Sequence, residues 1–275
     1  MRFEEKKTAL KAHQTKPIRW AGSKLPIASR LERYIDFDKE YYEPFAGSAV
    51  LFFRNSPRDA YLNDLNGSLV DFYRDARTHP EKLWKTYSTL PADKETYYWV
   101  RSEFNRLRKC VRRSAYFLYL NHLCFNGIYR TNLKNQFNTP FGGGRLKLID
   151  QESFFGFSEL IRDVEFHSLD FENFLTLVKP RSGTVYMDPP YYTEGQRVFR
   201  EYGPKTFSHD DLIRLSDSAR KWANRGCRVV VSYRECPEFR DLFGDCIQEE
   251  VSVSRNVGGF KSRRNSQKEL IAVLA

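Results

Sequence analysis

Short apolar segments alternate with helical patterns near both ends of the chain. The apolar segments with the length and composition of strands lie at 40–43, 59–63, 164–169, 183–187, 228–232, 247–254 and 269–274. Helical periodicity follows several of them, at 67–77, 171–177 and 210–225, and Ser208 is a suitable N-cap for the last of these helices. Strands that alternate with helices indicate a parallel sheet with helices on its faces, so we predict an α/β fold.

The last two predicted strands differ from the others in their connection. Only a short segment containing Gly258 and Gly259 joins them, and it has no room for a helical crossover. We therefore predict that these two strands pair antiparallel as a terminal hairpin.

The interval from about residue 78 to 163 interrupts the alternation. It is rich in aromatic and basic residues, shows helical periodicity at 94–105 and 112–123, and then becomes a polar stretch at 126–144 dense in asparagine and glycine. This pattern predicts a small inserted helical domain that carries a recognition loop or hairpin. We accordingly divide the chain into a first part of the main domain at 1–77, an insert at 78–163 and a second part at 164–275.

Composition and charge narrow the class of protein. A chain of 275 residues fits one domain with an insert better than two equal domains. Its 45 Lys and Arg residues exceed its 35 Asp and Glu residues, which suits a polyanionic partner. The five cysteines show no paired Cys-x-x-Cys spacing, so neither a disulfide framework nor a metal site is indicated. Without a signal region or a membrane-spanning apolar run, we expect a cytoplasmic protein with no membrane partner.

The most informative motif follows the predicted strand at 183–187. Asp188, Pro189, Pro190 and Tyr191 come next, and neither proline can donate to a sheet, so the strand must stop there. Asp188 and Tyr191 are thereby placed at the carboxyl end of a central strand, the edge where open α/β sheets bind ligands. A carboxylate, a proline carbonyl and an aromatic face together suit a planar base with an exocyclic amine. For this tetrapeptide alone, a rigid loop after a core strand is the alternative.

Two other segments extend the motif. Lys-Pro-Ile-Arg-Trp-Ala-Gly-Ser-Lys stands at 16–24, and Glu-Pro-Phe-Ala-Gly-Ser-Ala-Val-Leu-Phe-Phe at 43–53. With the Asp-Pro-Pro-Tyr turn, these segments and their order resemble the Dam-like DNA adenine N6-methyltransferases of the D12 class, which use S-adenosylmethionine. The resemblance covers nearly the whole chain. It implies a Rossmann-like methyltransferase sheet with an inserted target-recognition domain.

The resemblance also implies a cofactor site. Phe45 and Gly47 belong to a loop whose small residues allow a ligand close to the backbone. The family usually carries glycine where this chain has Ala49, and we expect the methyl group there to require a negative φ. Asp64 can accept hydrogen bonds from both ribose hydroxyls, or it can cap the helix that follows.

Four more residues match cofactor positions of the family. Lys24 would neutralise the methionine carboxylate, and Trp20 would pack near the sulfonium as a cation–π partner. Taken alone, Lys24 could equally be a solvated charge. Asp170 and Phe171 match the place where the family holds the adenine ring with an acceptor and an aromatic face.

The catalytic turn has a chemical rationale in the same resemblance. The exocyclic amine of adenine is a poor nucleophile because its lone pair is delocalised into the ring. Asp188 and the carbonyl of Pro189 would accept its hydrogens and localise that pair, and Asp188 also counts among the residues at the cofactor. Since the target lies inside a duplex, the base must flip out, and Tyr191 would stack on it, with Tyr192 able to share that duty. Three aromatic residues match a loop beside the flipped base: Phe199, Tyr202 and Phe207.

The segment from residue 121 to 142 resembles the recognition hairpin of Dam-like enzymes that methylate adenine in GATC. Arg130 matches an arginine that reads guanine, and Arg19 a position, usually lysine, that reaches the first guanine. The implied DNA contacts are Arg19, Asn126, Ile128, Arg130, Asn132 and Pro140. The basic stretches at 101–113 and 255–264 are expected to hold phosphates, or else to be solvated surface.

These observations predict a site-specific adenine N6-methyltransferase that acts on double-stranded DNA, at GATC or a related site, as a monomer or weak dimer. Methylation of RNA adenine, of cytosine N4 or of protein glutamine by the same kind of turn is disfavoured by the recognition insert before Asp188. A catalytically silent DNA-binding relative is disfavoured by the intact turn. A restriction–modification setting, with a cognate restriction endonuclease as partner, stays open beside a phage or housekeeping one.

Overall fold

Seven strands form a mixed sheet. They are β1 (Tyr41–Glu43), β2 (Ala60–Asn63), β3 (Glu165–His167), β4 (Thr184–Met187), β5 (Arg228–Arg234), β6 (Ile247–Ser254) and β7 (Ser266–Leu274). Their order is β3-β2-β1-β4-β5-β7-β6. The first five pair parallel, while β7 pairs antiparallel with both β5 and β6. The α/β class, the parallel sheet and the terminal antiparallel pair are therefore confirmed.

The computed structural model describes residues 18–143, 148–192, 207–254 and 266–275. Its α-helices, in chain order, are α1 (Ala28–Leu31), α2 (Val50–Asn55), α3 (Gly67–Thr78), α4 (Pro80–Ser88), α5 (Lys94–Arg106), α6 (Val111–Leu123), α7 (Gln151–Leu160), α8 (Phe171–Val178), α9 (His209–Ala223) and α10 (Pro237–Phe243). Short 3-10 helices lie at Leu25–Ile27, Glu32–Tyr34, Phe125–Gly127 and Gly244–Cys246. No helix in these ranges is long and apolar enough to cross a bilayer.

The chain packs as two compact units. The sheet unit contains Ser23–Asn66 and Asp163–Ala275, and the helical unit contains Gly67–Arg162 together with the short segment 18–22. The helical unit starts with α3, ahead of the insert boundary at residue 78. The assignment of the units to catalysis and target recognition stays a prediction.

The sheet unit has its core around the central strands. All four positions of β4 are buried, as expected for a parallel strand covered on both faces. Val185 and Met187 pack with Val229 and Val231 of β5 in the same apolar cluster. The buried strand ends at Met187, so Asp188 is the first residue beyond the carboxyl end of β4.

Helix α9 covers this core and begins as predicted. The hydroxyl of Ser208 accepts from the amide of Asp211, and the Asp211 carboxylate accepts in return from the Ser208 amide, which completes a capping box. The predicted N-cap is confirmed.

The helical unit is organised around α6, which is buried at every position from Ser114 to Leu123. A helix that is buried on every side lies at the centre of its bundle. Phe72 of α3 stacks on Phe117 of α6 and on Phe157 of α7, with ring centroids 5.7 Å apart in both pairs. The helices predicted at 94–105 and 112–123 are confirmed as α5 and α6.

Candidate active site

Four loops of the sheet unit meet at one edge of the sheet. They follow the parallel neighbours β3, β2, β1 and β4, so each leaves the carboxyl end of its strand. The chain runs outward from β1 to β2 and β3 on one side and continues at β4 on the other. Such a reversal of strand order creates a crevice between the two strands. Residue 188 lies on one side of this crevice and the loop after β1 on the other.

The loop after β1 is bound to the end of β2. The amide of Gly47, which has a φ of 49°, donates to Oδ2 of Asp64 over 2.9 Å. Oδ1 of Asp64 accepts from the amide of Asn66 over 2.8 Å. Burial raises the pKa of Asp64, and the two N–H donors partly oppose that rise. Asp64 thus joins two loops, and its carboxylate has further lone pairs for a ligand.

Ala49 adopts a conformation that the sequence analysis did not expect. Its φ is 47° and its ψ is 43°, so the expectation of a negative φ is wrong. The residue is the N-cap of α2, and its amide donates to the carbonyl of Ala46. A left-handed alanine costs roughly 1–2 kcal/mol. The buried side chain of Ala49 and this hydrogen bond offset part of that cost.

Aromatic rings gather where β3 ends. The rings of Phe45 and Phe171 lie 5.3 Å apart, so two predicted cofactor residues come together. Asp170 caps α8 by accepting from the amide of Glu172, and it forms an ion pair with Arg214 over 2.7 Å. The Arg214 guanidinium lies 4.8 Å from the centre of the Phe171 ring. Sequence reasoning missed Arg214, because only the packing of α9 on α8 shows its partners.

Two side chains outside the Asp-Pro-Pro-Tyr turn hold it, namely Lys24 and Glu269. Nζ of Lys24 lies 2.6 Å from Oδ1 of Asp188 and donates to the hydroxyl of Tyr191 over 2.9 Å. The same ammonium lies 3.6 Å from Oε2 of Glu269, and the Tyr191 hydroxyl donates to Oε1 of Glu269 over 2.5 Å. We call these four residues the Asp188 cluster.

The electrostatics of the Asp188 cluster depend on burial. Lys24 is 7% exposed and Glu269 is 2% exposed. Burial acts to lower the pKa of Lys24, but the charges of Asp188, Tyr191 and Glu269 outweigh it and raise that pKa above its ordinary value. Lys24 is therefore a cation whose contacts hold Asp188, and its predicted contact with the methionine carboxylate stays a prediction. Glu269 was missed because nothing in the sequence of β7 shows what an acid there would face.

Tyr191 and Tyr192 are both anchored. The ring of Tyr191 packs edge-on against Tyr233, with centroids 5.2 Å apart, and the amide of Tyr192 donates to the Tyr233 hydroxyl. Arg234 donates to the carbonyl of Tyr192 over 2.9 Å. Of the three aromatic residues expected beside the flipped base, Phe207 packs edge-on against Phe45 at 6.3 Å, while Phe199 and Tyr202 lie outside the described residues.

A second acid lies close behind the turn. Glu43, at the end of β1, is buried and accepts from the hydroxyl of Tyr41 over 3.0 Å. Burial raises the pKa of Glu43 well above its ordinary value; the Tyr41 hydroxyl opposes this, and the charges of Asp188 and Asp64 add to it.

In the helical unit, the polar stretch after α6 forms the predicted hairpin. Thr131 bridges Phe137 and Cys124 bridges Phe141, both antiparallel. At the tip, the Asn132 side chain accepts from the amides of Lys134 and Gln136. These contacts give Asn132 a structural role in the turn, and its DNA contact stays a prediction.

Asn138 orients the guanidinium of Arg130. Nε of Arg130 donates to the Asn138 side chain over 2.9 Å, across the hairpin. Of the other expected DNA contacts in the hairpin, Ile128 is half-buried, Asn126 and Pro140 are exposed, and Asn126 has a φ of 54°.

Arg19 is fixed to the base of the same hairpin. Its amide donates to the Asn121 side chain over 2.8 Å, and that side chain donates back to the Arg19 carbonyl over 2.7 Å. Gly127 has a φ of 67°, and a Cβ there would come within 2.6 Å of the Arg19 Cβ. Close approach and backbone conformation both require glycine at this position. Arg19 and the hairpin thus form one surface.

The remaining predicted residues fall in several places. Trp20 stacks on Tyr129 within the helical unit, with centroids 5.9 Å apart, and its cofactor role stays a prediction. In the basic stretch 101–113, Arg101 donates to the hairpin carbonyl of Thr139 and Arg113 to Ser68, so both support the fold. The stretch 255–264 and residues 16 and 17 lie outside the described residues. In the described ranges, no group of His, Cys, Asp and Glu side chains could hold a metal ion.

Comparison with known proteins gives a consistent result. The family of D12 class N6 adenine-specific DNA methyltransferases matches residues 20–257. A type II methyltransferase of Lactococcus lactis subsp. cremoris is 31% identical over 266 residues, which cover 92% of this chain and 93% of the relative. A DNA adenine methylase of Vibrio cholerae is 30% identical over 267 residues, which cover 93% of this chain and 94% of the relative. A type II methyltransferase of Methanocaldococcus jannaschii is 33% identical over 244 residues, which cover 80% of this chain and 84% of the relative.

Proposed function

Because the chain belongs to the D12 class of N6 adenine-specific DNA methyltransferases, we propose that it transfers a methyl group from S-adenosylmethionine to N6 of an adenine that is flipped out of duplex DNA. GATC or a related sequence is the proposed site. The observation that carries this proposal is the position of Asp188 at the crevice between β1 and β4, opposite the loop of Gly47. A planar base and a nucleoside cofactor can enter such a crevice from opposite sides.

The side chains around the crevice suit S-adenosylmethionine. Phe45 and Phe171 offer aromatic faces for an adenine ring, Asp170 an acceptor for its amine, and Asp64 an acceptor for ribose hydroxyls. The small residues around Gly47 let the ligand approach the backbone. Arg214 forms an ion pair with Asp170 and lies over the ring of Phe171, so it would fix the orientation of both side chains. The cofactor supplies an electrophilic methyl group on a sulfonium.

Asp188 and Pro189 activate the nucleophile in the proposed reaction. The Asp188 carboxylate and the Pro189 carbonyl accept the two amine hydrogens of the target adenine, so its lone pair is directed at the methyl group. The N6–methyl bond forms as the sulfur–methyl bond breaks, and the nitrogen then releases one proton toward Asp188. Fixed acceptors need no reorganisation during this step, which makes positioning the main source of rate.

Lys24 and Tyr191 determine the orientation of the Asp188 carboxylate in the proposed reaction. The contact between Lys24 and Asp188 fixes the rotation of the carboxylate, and the anchored hydroxyl of Tyr191 fixes the turn. A Tyr191 ring held in this way offers a rigid face for the flipped base, at a smaller loss of side-chain entropy than a free ring. Tyr192, anchored through its backbone, is the second candidate for stacking.

Target reading is assigned to the hairpin. Arg130, whose guanidinium Asn138 orients, would contact O6 and N7 of a guanine, and Arg19 would reach the other guanine of the site. Ile128 and Pro140 would touch the neighbouring base pairs. The type II names of two relatives support a restriction–modification setting for this chain as well, with a cognate restriction endonuclease as partner. A monomer or weak dimer suffices for the reaction.

Analysis of plasmid DNA tests the proposal. Plasmid from cells that express the chain should contain N6-methyladenine by nucleoside mass spectrometry, and it should show altered cutting by nucleases sensitive to methylation at GATC. Asp188→Ala should reduce transfer by about two orders of magnitude or more, comparable to the loss of an oxyanion-hole donor. Near-normal turnover by Asp188→Ala would contradict the proposed chemistry. Methyladenine at sites other than GATC would overturn only the proposed sequence.

A further inference from the structure

We propose that Glu269 is a positioning residue, which acts through Tyr191 and Lys24 to hold Asp188 in its reactive orientation. The inference rests on the proposed function, because it concerns the orientation of the acid that accepts the amine hydrogens. Glu269 stands in β7, on the far side of β5 from β4, and it belongs to neither the catalytic turn nor the cofactor loops.

The backbone around Glu269 is the most firmly fixed part of the Asp188 cluster. Glu269 pairs with Arg234 of β5 on one side and with Val251 of β6 on the other, so the ladder holds it from both directions. Lys24 and Tyr191 lack such support. Lys24 precedes a short 3-10 helix, and Tyr191 lies in a loop. Glu269 therefore supplies a fixed charge to which the two less restrained side chains are bound.

The contacts of Glu269 are divided between its two oxygens. Oε1 accepts from the Tyr191 hydroxyl, and Oε2 faces the Lys24 ammonium, which in turn lies on Oδ1 of Asp188. An ammonium group has three hydrogens and takes its position from the acceptors around it. With Glu269 in place, Lys24 is directed by acceptors on both sides. Without that charge, only Asp188 and the Tyr191 hydroxyl among the cluster's acceptors would direct the ammonium.

Stability alone does not account for an acid at this position. A buried ionic group costs free energy of desolvation, and replacing it with an apolar side chain is often neutral or stabilising. Leu270 and Ile271, which follow Glu269 in β7, are apolar and fully buried, whereas Lys268 before it is exposed. An apolar residue would suit the same core. The acid is better explained by the two groups that it directs.

The first test compares two substitutions on adjacent strands. Glu269→Gln keeps the volume and an acceptor for Tyr191 but removes the charge that faces Lys24. We expect kcat to fall by roughly ten- to a hundredfold, the scale of a small misplacement of reacting groups, with KM for DNA within about twofold of wild type. Glu250→Gln is the matched control, because Glu250 is an exposed acid of β6 that pairs with Arg240 and Lys268. Its kcat should stay unchanged.

The second test asks whether Glu269 acts through Tyr191. Tyr191→Phe removes the hydroxyl that joins them, so Glu269→Gln should cost less in that background than in wild type. Losses that simply multiply would indicate independent roles and contradict the proposal. If Glu269→Gln does not fold, Tyr191→Phe carries the test alone. We then expect a loss of kcat with KM preserved, and a wild-type kcat would overturn the inference.

A crystal structure of Glu269→Gln separates this inference from the proposed function. We expect the contact between Lys24 and Asp188 to change, or the Asp188 carboxylate to rotate. If both stay as they are in wild type, Glu269 does not position Asp188. If wild-type protein makes no methyladenine, the proposed function fails, while the variant structure still decides whether Glu269 orients the turn.

Discussion

At the scale of single residues, three acids in the described part of the carboxyl edge of the sheet have different partners. Asp188 and Glu269 share one cation, Lys24, whereas buried Glu43 accepts from a neutral hydroxyl of Tyr41. Asp188 and Glu269 both contact the Lys24 ammonium, whereas Glu43 contacts a neutral phenol, so the environments of these acids differ. Burial raises the pKa of Glu43 well above its ordinary value.

Glu43 should make folding stability depend on pH. Its pKa in the folded protein is raised above the ordinary value of 4.5, so the folded state binds the proton more tightly than the unfolded chain. Stability from this group is present below pH 4.5 and is lost as the pH rises through the raised pKa. Urea unfolding of Glu43→Gln over a pH series should show a smaller loss of stability with rising pH than wild type. Identical pH slopes would show that Glu43 has an ordinary pKa.

Asp64 should matter for cofactor binding far more than for DNA binding. Asp64→Ala removes the proposed ribose acceptor and also releases the amides of Gly47 and Asn66. Hydrogen bonds to a charged group contribute about 1.5–3 kcal/mol, so we expect affinity for S-adenosylhomocysteine to fall by roughly ten- to a hundredfold. Calorimetry measures that affinity, and fluorescence anisotropy with a duplex provides the control. Equal losses for both ligands would argue against a dedicated ribose role.

At the scale of elements, the cap of α9 gives a clean test of the local structure. Ser208→Ala removes the acceptor for the Asp211 amide and should lower the free energy of unfolding by about 1 kcal/mol, whereas Ser208→Gly should cost only a few tenths. Urea unfolding of both variants measures the difference. Methyl transfer should be unaffected at temperatures where both are folded. A neutral Ser208→Ala would mean that α9 begins elsewhere in solution.

The elements that the sequence predicted have long or strongly buried patterns. All seven described strands had been predicted, because each contains either a short apolar run or, as in β6, apolar residues spaced among polar ones. The described helices that were not predicted include α1, α4, α7 and α10, with 4, 9, 10 and 7 residues. Periodicity over so few residues is weak. Proline at the start of α4 and α10, and Asp150 at the N-cap of α7, were the available signals.

The residues of the candidate site also differ in whether the sequence alone could identify them. Residues inside contiguous motifs, such as Asp188 and Gly47, could be named from the sequence. Glu269, Arg214 and Asn138 could not, because each acquires its role from a partner distant in the chain or across a turn. The left-handed Ala49 was predicted wrongly, since its buried environment supplies the free energy that opposes the strain.

At the scale of the whole molecule, the net charge of +10 favours association with any polyanion. Attraction of this kind is not specific for sequence and weakens with salt as counterions are released from DNA. Sequence preference must therefore come from a small number of oriented donors. Within the helical unit, Arg130 is an oriented donor and Arg108 is an exposed cation in the basic stretch. The two should fail in different ways when replaced.

Arg130→Ala should cost roughly 1–3 kcal/mol on the cognate duplex and relax preference at one guanine, with little change in binding to unrelated DNA. Arg108→Ala should weaken binding to all sequences alike. The slope of the logarithm of the binding constant against the logarithm of salt concentration should become shallower by about one unit. Single-substituted GATC duplexes at two salt concentrations measure both effects. If Arg130→Ala instead gave a uniform loss with no relaxed base, the hairpin would be a docking surface for phosphates. The proposal of GATC would then lose its main support, whereas methyl transfer to adenine, which depends on Asp188 and the sheet edge, would stand.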